Sequence, residues 1–298
     1  MHHRISSLRS GLVPGLFIAC AALAICLPHV QAQTPASKVI QLSTRMRVLA
    51  GDQVGIGGFI VTGTTPKQVI IRGIGPTLAQ SGITGALADP VLELHGPAGF
   101  ATMLNDNWRD TQENAIQSAG LAPTSNLEPA IWATLPPGAY TAILRDRNGT
   151  SGTALVEIYD ITQGADSKLG NLSTRAFVDV DANILIAGVM VSAGGASDRV
   201  VVRGLGPSLA AAGVPNTLAN PTLELRNING GLIFSNNDWQ DNPVQSLEIS
   251  AAGLAPTNSL EAAILAILPP GRYTAMMFGL NNGTGNGIVE VYDLGPTP

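Results

Sequence analysis

The segment Asn105-Asp-Asn-Trp-Arg-Asp110 places four amide or carboxylate side chains within six residues, and Asn236-Asn-Asp-Trp-Gln-Asp241 repeats the arrangement. Clustered side-chain oxygens are what Ca²⁺ coordinates. Asn105, Asp106 and Asp110, with Asn236, Asp238 and Asp241, therefore form a candidate calcium set, in which the second acid moves from Asp106 to Asp238 between the two segments. The same residues also suit an Asx-turn that ties a strand end to the next segment, with Trp108 and Trp239 as core plugs. Arg72 and Arg203 each close an apolar run at Arg-Gly-x-Gly-Pro. They could meet an anionic ligand, or pair with Glu93 or Glu157 and, in the second copy, with Glu224 or Glu290. The glycines there form no phosphate loop, because no Lys-Ser/Thr follows. If the molecule has a ligand face, Trp108, Trp239, Arg72 and Arg203 are its candidates, together with the tyrosines 140, 159, 273 and 292.

Catalytic chemistry finds less material. A Ser-His pair would have to use His95, the one imidazole beyond residue 32, and its counterpart in the second half is Arg226. No Gly-x-Ser-x-Gly elbow and no His-Glu-x-x-His stretch is present, and His and Cys are too few for a zinc site. Paired carboxylates of the glycosidase kind stay open, since spacing along a chain does not fix spacing in space.

The elements that position these residues are written twice. Leu42-Ser-Thr-Arg45 recurs at Leu172–Arg175, Val69-Ile-Ile-Arg-Gly-Ile-Gly-Pro76 at Val200–Pro207, Leu135-Pro-Pro-Gly-Ala-Tyr140 at Leu268–Tyr273, and Val156-Glu-Ile-Tyr-Asp160 at Val289–Asp293. Arg45 and Arg175 are 130 residues apart, Arg72 and Arg203 131, and Tyr140 and Tyr273 133, so the copies differ by small insertions. Each copy, 39–161 and 171–295 with a linker at 162–170, is of ordinary domain size. Within a copy the apolar residues follow period two or run continuously between Gly and Pro, which predicts strands. Eight are expected in the first copy, at about 39–48, 54–62, 68–72, 91–95, 101–104, 130–133, 140–145 and 154–160. Asn148-Gly149 is expected to close a hairpin between the last two. Helix signals are confined to 111–118 and to the capping-box patterns Ser125-x-x-Glu128 and Asn258-x-x-Glu261. The expected class is all-β: two tandem antiparallel β-sandwich domains, jelly-roll or immunoglobulin-like, with one or two short helical turns each.

The first 32 residues read as a signal peptide: Arg4 and Arg9, an apolar run from Gly11 to Val30, and cleavage after Val30-Gln31-Ala32. Pro14 and Pro28 interrupt the run, which weakens a transmembrane reading; a lipidated Cys20 or Cys26 lacks the preferred Leu-small-small residues before it. The expected destination is secreted: periplasm, exterior or cell surface. Both cysteines leave with the peptide, so no disulfide is expected. The basic count falls from 16 to 14 against 21 acids, for a net charge of about −7 that argues against nucleic acid and anionic membranes. Charged residues make up only 12 % of the chain, against roughly 25 % in ordinary globular proteins, which predicts a surface of Thr, Ser, Asn and Gln.

Through Leu92-Glu-Leu94, Asn105-Asp-Asn-Trp108, Leu135-Pro-Pro-Gly-Ala-Tyr140 and Val156-Glu-Ile-Tyr-Asp160, the chain resembles an uncharacterised tandem repeat of secreted bacterial proteins. More distantly it is similar to bacterial pre-peptidase C-terminal domains. These resemblances imply a jelly-roll-like sandwich at the cell surface without catalytic residues of its own. No protease domain precedes the repeats here, so a substrate-holding role is not carried over. The expected function is a non-catalytic binding or adhesion pair directed to polysaccharide or another surface component, with no cofactor beyond the calcium candidate. The rivals are a secreted carboxylate-dependent hydrolase and a structural spacer or assembly subunit.

Overall fold

The computed structural model describes residues 39–51, 54–162, 166–192 and 197–296. The expected signal peptide, its cleavage after Ala32, both cysteines and the middle of the expected linker lie outside them. The first copy supplies strands β1 (Val39–Val48), β2 (Gly55–Gly63), β3 (Lys67–Ile74), β4 (Pro90–His95), β5 (Met103–Asn105), β6 (Ala130–Leu135), β7 (Gly138–Asp146) and β8 (Gly152–Asp160). The second supplies β9 (Ser167–Val178), β10 (Leu185–Val191), β11 (Asp198–Leu205), β12 (Pro221–Asn227), β13 (Leu232–Asn236), β14 (Ala262–Leu268), β15 (Gly271–Gly279) and β16 (Gly285–Pro296). Three short helices accompany them, α1 (Pro76–Gln80), α2 (Glu113–Ser118) and α3 (Pro243–Ala251).

The protein is an all-β sandwich, as the residue pattern predicts. One sheet runs β13-β12-β15-β10-β1-β8-β3-β6 and the other β14-β11-β16-β9-β2-β7-β4-β5, and every ladder is antiparallel. Within the first copy the orders β1-β8-β3-β6 and β2-β7-β4-β5 are those of an eight-stranded jelly roll, which settles the topology that sequence left open. The second copy repeats them with the sheets exchanged. Each copy is thus four strands over four, and the two fuse edge to edge in both sheets, through β1–β10 and through β2–β9.

The fusion is closer than a linker between separate modules would give. One buried cluster, from Leu42 and Phe59 to Leu223 and Met277, spans both copies. Ser167–Gly170, expected as linker, is already strand. Beneath the copy junction, β1 and β9 face each other across the sandwich.

Local chemistry explains the elements. In β1, Leu42, Thr44, Met46 and Val48 point inward while Gln41, Ser43, Arg45 and Arg47 point outward. The continuous apolar runs of β3 and β11 arise because both faces are covered. Val200 and Val202 join the central core, while Val201 packs outward with Ile249 of α3 and Leu265. The Pro-Pro-Gly-x-Tyr motif is a folded-back corner: the Tyr140 hydroxyl donates to the Pro136 carbonyl at 2.8 Å, and Tyr273 to that of Pro269 at 2.7 Å.

Two local expectations are corrected. Asn148-Gly149 does turn the chain, with Gly149 at φ 72°, but β7 and β8 lie in different sheets, so the turn is a crossing between layers and not a hairpin. Turn chemistry sets the local φ and says nothing of the partner strand. Ser125–Glu128 and its counterpart form single turns that no helix continues; the Glu128 carboxylate accepts from the Ser125 N–H at 3.3 Å and also from the loop after β3, at the Gly75 and Thr77 N–H groups. The helix that sequence missed, α1, begins with Pro76 at its first turn, a position proline favours.

Candidate functional site

The two Asn/Asp-Trp loops prove to be stitches. The Asn105 Oδ1 accepts from the Ala130 backbone N–H at 2.9 Å, and its Nδ2 donates to the Asn107 carbonyl at 3.1 Å. In the second copy Asn236 does the same, with Ala263 at 2.8 Å and the Asp238 carbonyl at 2.9 Å. Asp106 is held by Arg147, and Asp110 accepts from Asn107 Nδ2 at 3.2 Å. Asp241 donates its backbone N–H to the Asp238 carbonyl. Trp108 is only 2 % exposed and packs with Ile116 and Ala130; Trp239 is half-buried against the cluster under α3. Neither tryptophan presents a broad face to solvent, and the amide oxygens nearest the strand are already committed to backbone groups.

The strand-end arginines pair as one of the two sequence alternatives predicts. Arg72 grips Glu157 through Nε at 2.9 Å and through Nη2, reaches the Tyr159 hydroxyl at 3.0 Å, and donates Nη1 to the Leu121 carbonyl at 2.9 Å. Arg203 repeats every contact, with Glu290 at 2.7 Å from Nε, Tyr292 at 3.1 Å and the Leu254 carbonyl at 3.0 Å. Glu93 instead meets Arg145 and His95, and Glu224 meets Arg226. Burial, then the neighbouring Glu157 carboxylate, pushes the Tyr159 phenol up to about 12 against the opposing pull of Arg72; Tyr292 is raised for the same reasons. Both phenols stay protonated donors at any physiological pH.

Register then shows what the repeated motifs build. Across the outer face of the first sheet, one row reads Arg72–Glu157–Ser43–Gly188–Thr274–Arg226, and the adjacent row reads Tyr159–Gln41–Met190–Arg272. The second sheet carries Arg203–Glu290–Ser173–Gly58–Thr141–His95 beside Tyr292–Asn171–Ile60–Ala139. In each row the glycine belongs to one copy and the serine to the other. A Cβ on Gly188 would stand 2.3 Å from Ser43 Oγ, and one on Gly58 2.7 Å from Ser173 Oγ, so the seam admits only hydrogen there. Gly188 lies in the floor of a trough of about 330 Å³ on the first sheet, lined also by Gln41, Ser43, Glu157, Tyr159, Met190, Ile228, Arg272 and Thr274 among others. A hollow of about 510 Å³ adjoins it, shares Gln41, Tyr159 and Met190, and extends to Leu121. A further hollow of about 390 Å³ on the second sheet has Arg175 and Asn286 among mainly apolar walls, and no tyrosine.

None of the cross-copy neighbours was visible in sequence. The signal that could have found them is the pairing of Leu-Ser-Thr-Arg with a Gly-rich β-branched strand in each copy.

One acid pair is assembled, away from this surface. In the first copy Lys67 and Asp160, both fully buried, meet at 2.9 Å, and Lys67 also donates to the Thr162 carbonyl at 3.0 Å. In the second copy Asp198 stands where Lys67 would, beside Asp293, and Lys168 supplies the cation at 2.9 Å from Asp293 Oδ1. Burial first, and then the Asp293 charge, raise Asp198 to about 7, while Lys168 opposes them. Asp198 is 0 % exposed, so no substrate reaches this pair.

No family model and no curated protein matches the chain. Among solved structures, a DUF4785 family protein of Legionella pneumophila is similar over 88 % of this chain at 10 % identity with a TM-score of 0.23, the match spanning 63 % of that protein and so less than two thirds of it. The Sulfolobus turreted icosahedral virus is similar over 86 % of this chain and 89 % of its own at 11 % identity, also with a TM-score of 0.23. At that level of superposition they say nothing of this chain's function. No helix among the described residues is long and apolar enough to cross a membrane.

Proposed function

We propose that the chain is a non-catalytic, exported binding protein, that its ligand is a saccharide, and that the seam trough on the first sheet is its ligand face. The observation that carries this reading is the trough on the first sheet. It sets the planar amide of Gln41 and the Arg72–Glu157 pair beside the Tyr159 phenol, the Ser43 and Thr274 hydroxyls, and the apolar Met190 and Ile228. A sugar offers vicinal hydroxyls, which planar groups bind in pairs, and C–H faces, which pack on aromatic and aliphatic surface. Export rests on the signal-peptide pattern of residues 1–32.

The hydrolase alternative has less support: Asp198 and Asp293, an acid pair that the fold assembles, are sealed in the interior. Calcium at the Asn/Asp-Trp loops is disfavoured by the backbone bonds of Asn105 and Asn236, and melting curves recorded with Ca²⁺ and with EDTA are expected to coincide. The function is tested by binding the protein, started at Gln33, to a panel of soluble and insoluble glycans. Saturable binding that weakens in Gln41→Ala supports the reading, and uniform absence of binding removes it.

A further inference from the structure

We infer that the trough on the first sheet is specific for a carboxylated saccharide, a uronate-containing glycan, and that Arg272 is the residue that selects it; the inference rests on the saccharide-binding reading above. The residue rows that cross the two sheets share their arginine, glutamate, serine, glycine and threonine, and the charge within them is balanced, because Arg72 is neutralised by Glu157 and Arg203 by Glu290. They differ at Gln41 against Asn171, Met190 against Ile60 and Arg226 against His95, and at one further position the first sheet gains a cation that has no ion-pair partner among the described residues. Arg272 closes the row Tyr159–Gln41–Met190 on the first sheet, and its counterpart on the second sheet is Ala139.

Arg272 is exposed and has no ion-pair partner among the described residues. A guanidinium left unpaired beside a trough of neutral donors and acceptors presents five N–H groups in a fork that matches a carboxylate in two-point contact. The chain as a whole is acidic, with 21 acids against 16 bases, so general electrostatic attraction does not bring an anion here. Recognition has to come from the local cation and from contact, within the roughly 8 Å over which charge acts at physiological salt. A neutral glycan would use the same hydroxyl and aromatic contacts and leave Arg272 idle. The uronate engages all of them.

Because the alternative residue is already present in the other copy, the test uses the protein's own substitution. Binding of an oligogalacturonate and of a neutral manno-oligosaccharide would be measured by titration calorimetry for the wild type, Arg272→Ala and Ala139→Arg. The expected result is a preference for the oligogalacturonate in the wild type and at least a tenfold loss of that affinity in Arg272→Ala with little change toward the neutral sugar. Ala139→Arg is expected to raise the stoichiometry for oligogalacturonate from one to two. Equal affinity of the wild type for both sugars, or undiminished oligogalacturonate affinity in a folded Arg272→Ala, overturns the inference while leaving saccharide binding intact. Binding of neither sugar by a folded wild type overturns both.

Discussion

Asp198 shows how a single substitution between copies changes the physics of a site. The first copy buries a lysine against Asp160; the second buries an acid at the same place, and burial together with the Asp293 charge raises its pKa to about 7. An acid whose pKa is raised on folding, here from 3.8 to about 7, favours the folded state while it is protonated, so this contribution is complete below about pH 4 and is lost as pH rises through 7. The protein is therefore expected to melt lower at pH 8 than at pH 5, with a loss of stability of at most about 3 kcal/mol from this group. Asp198→Asn should flatten that slope in thermal melts across the range. At the Asn/Asp-Trp loops, Asn105→Ala would strand the Ala130 N–H in the interior, with a loss of about 1–3 kcal/mol in denaturant unfolding. Sequence narrowed Arg72 to two glutamates by offset and sign of charge; which one it meets depends on strand order, which no local pattern carries. The local bond from the Ser125 N–H to Glu128 was legible for the opposite reason, whereas its further partners Gly75 and Thr77 lie about 50 residues away in sequence and were not.

Strand positions were legible because alternation and Gly/Pro punctuation are local: expected and observed limits of β1, β4 and β8 differ by two residues at most. Pairing was not, as the Asn148-Gly149 crossing shows. The free edges of the sheets illustrate a device that only the structure reveals. Gln112, at φ 60°, turns its amide onto the edge strand β6, accepting from the Trp132 N–H at 3.0 Å and donating to the Trp132 carbonyl at 2.8 Å. Gln245 accepts from Leu265 of β14 in the same way at 3.4 Å. An edge strand with open N–H and C=O groups invites pairing with another chain, and here the most accessible pair is already occupied. Gln112→Ala is expected to leave the fold in place and to increase concentration-dependent self-association in light scattering. Unchanged monodispersity would show that α2 alone protects the edge.

At the scale of the molecule, duplication was plain from the offsets of 130 to 133 residues, but the exchange of sheets between copies was not. Two jelly rolls sharing one core should unfold together, giving one transition with agreeing calorimetric and van't Hoff enthalpies. Gly188→Val, which forces a side chain against Ser43, is expected to lower the stability of both copies at once by about 1–3 kcal/mol, read as a single shifted melt. A split into two transitions would mean that the copies fold independently. The same seam makes the trough, so the proposed ligand face belongs to the pair of copies and not to either alone. The most direct test of that claim fills the trough from its rim: glycan affinity of Thr274→Trp, measured beside its melting temperature. A folded variant with at least tenfold weaker binding is the predicted result, and a folded variant that binds as the wild type does would contradict the assignment of the ligand face.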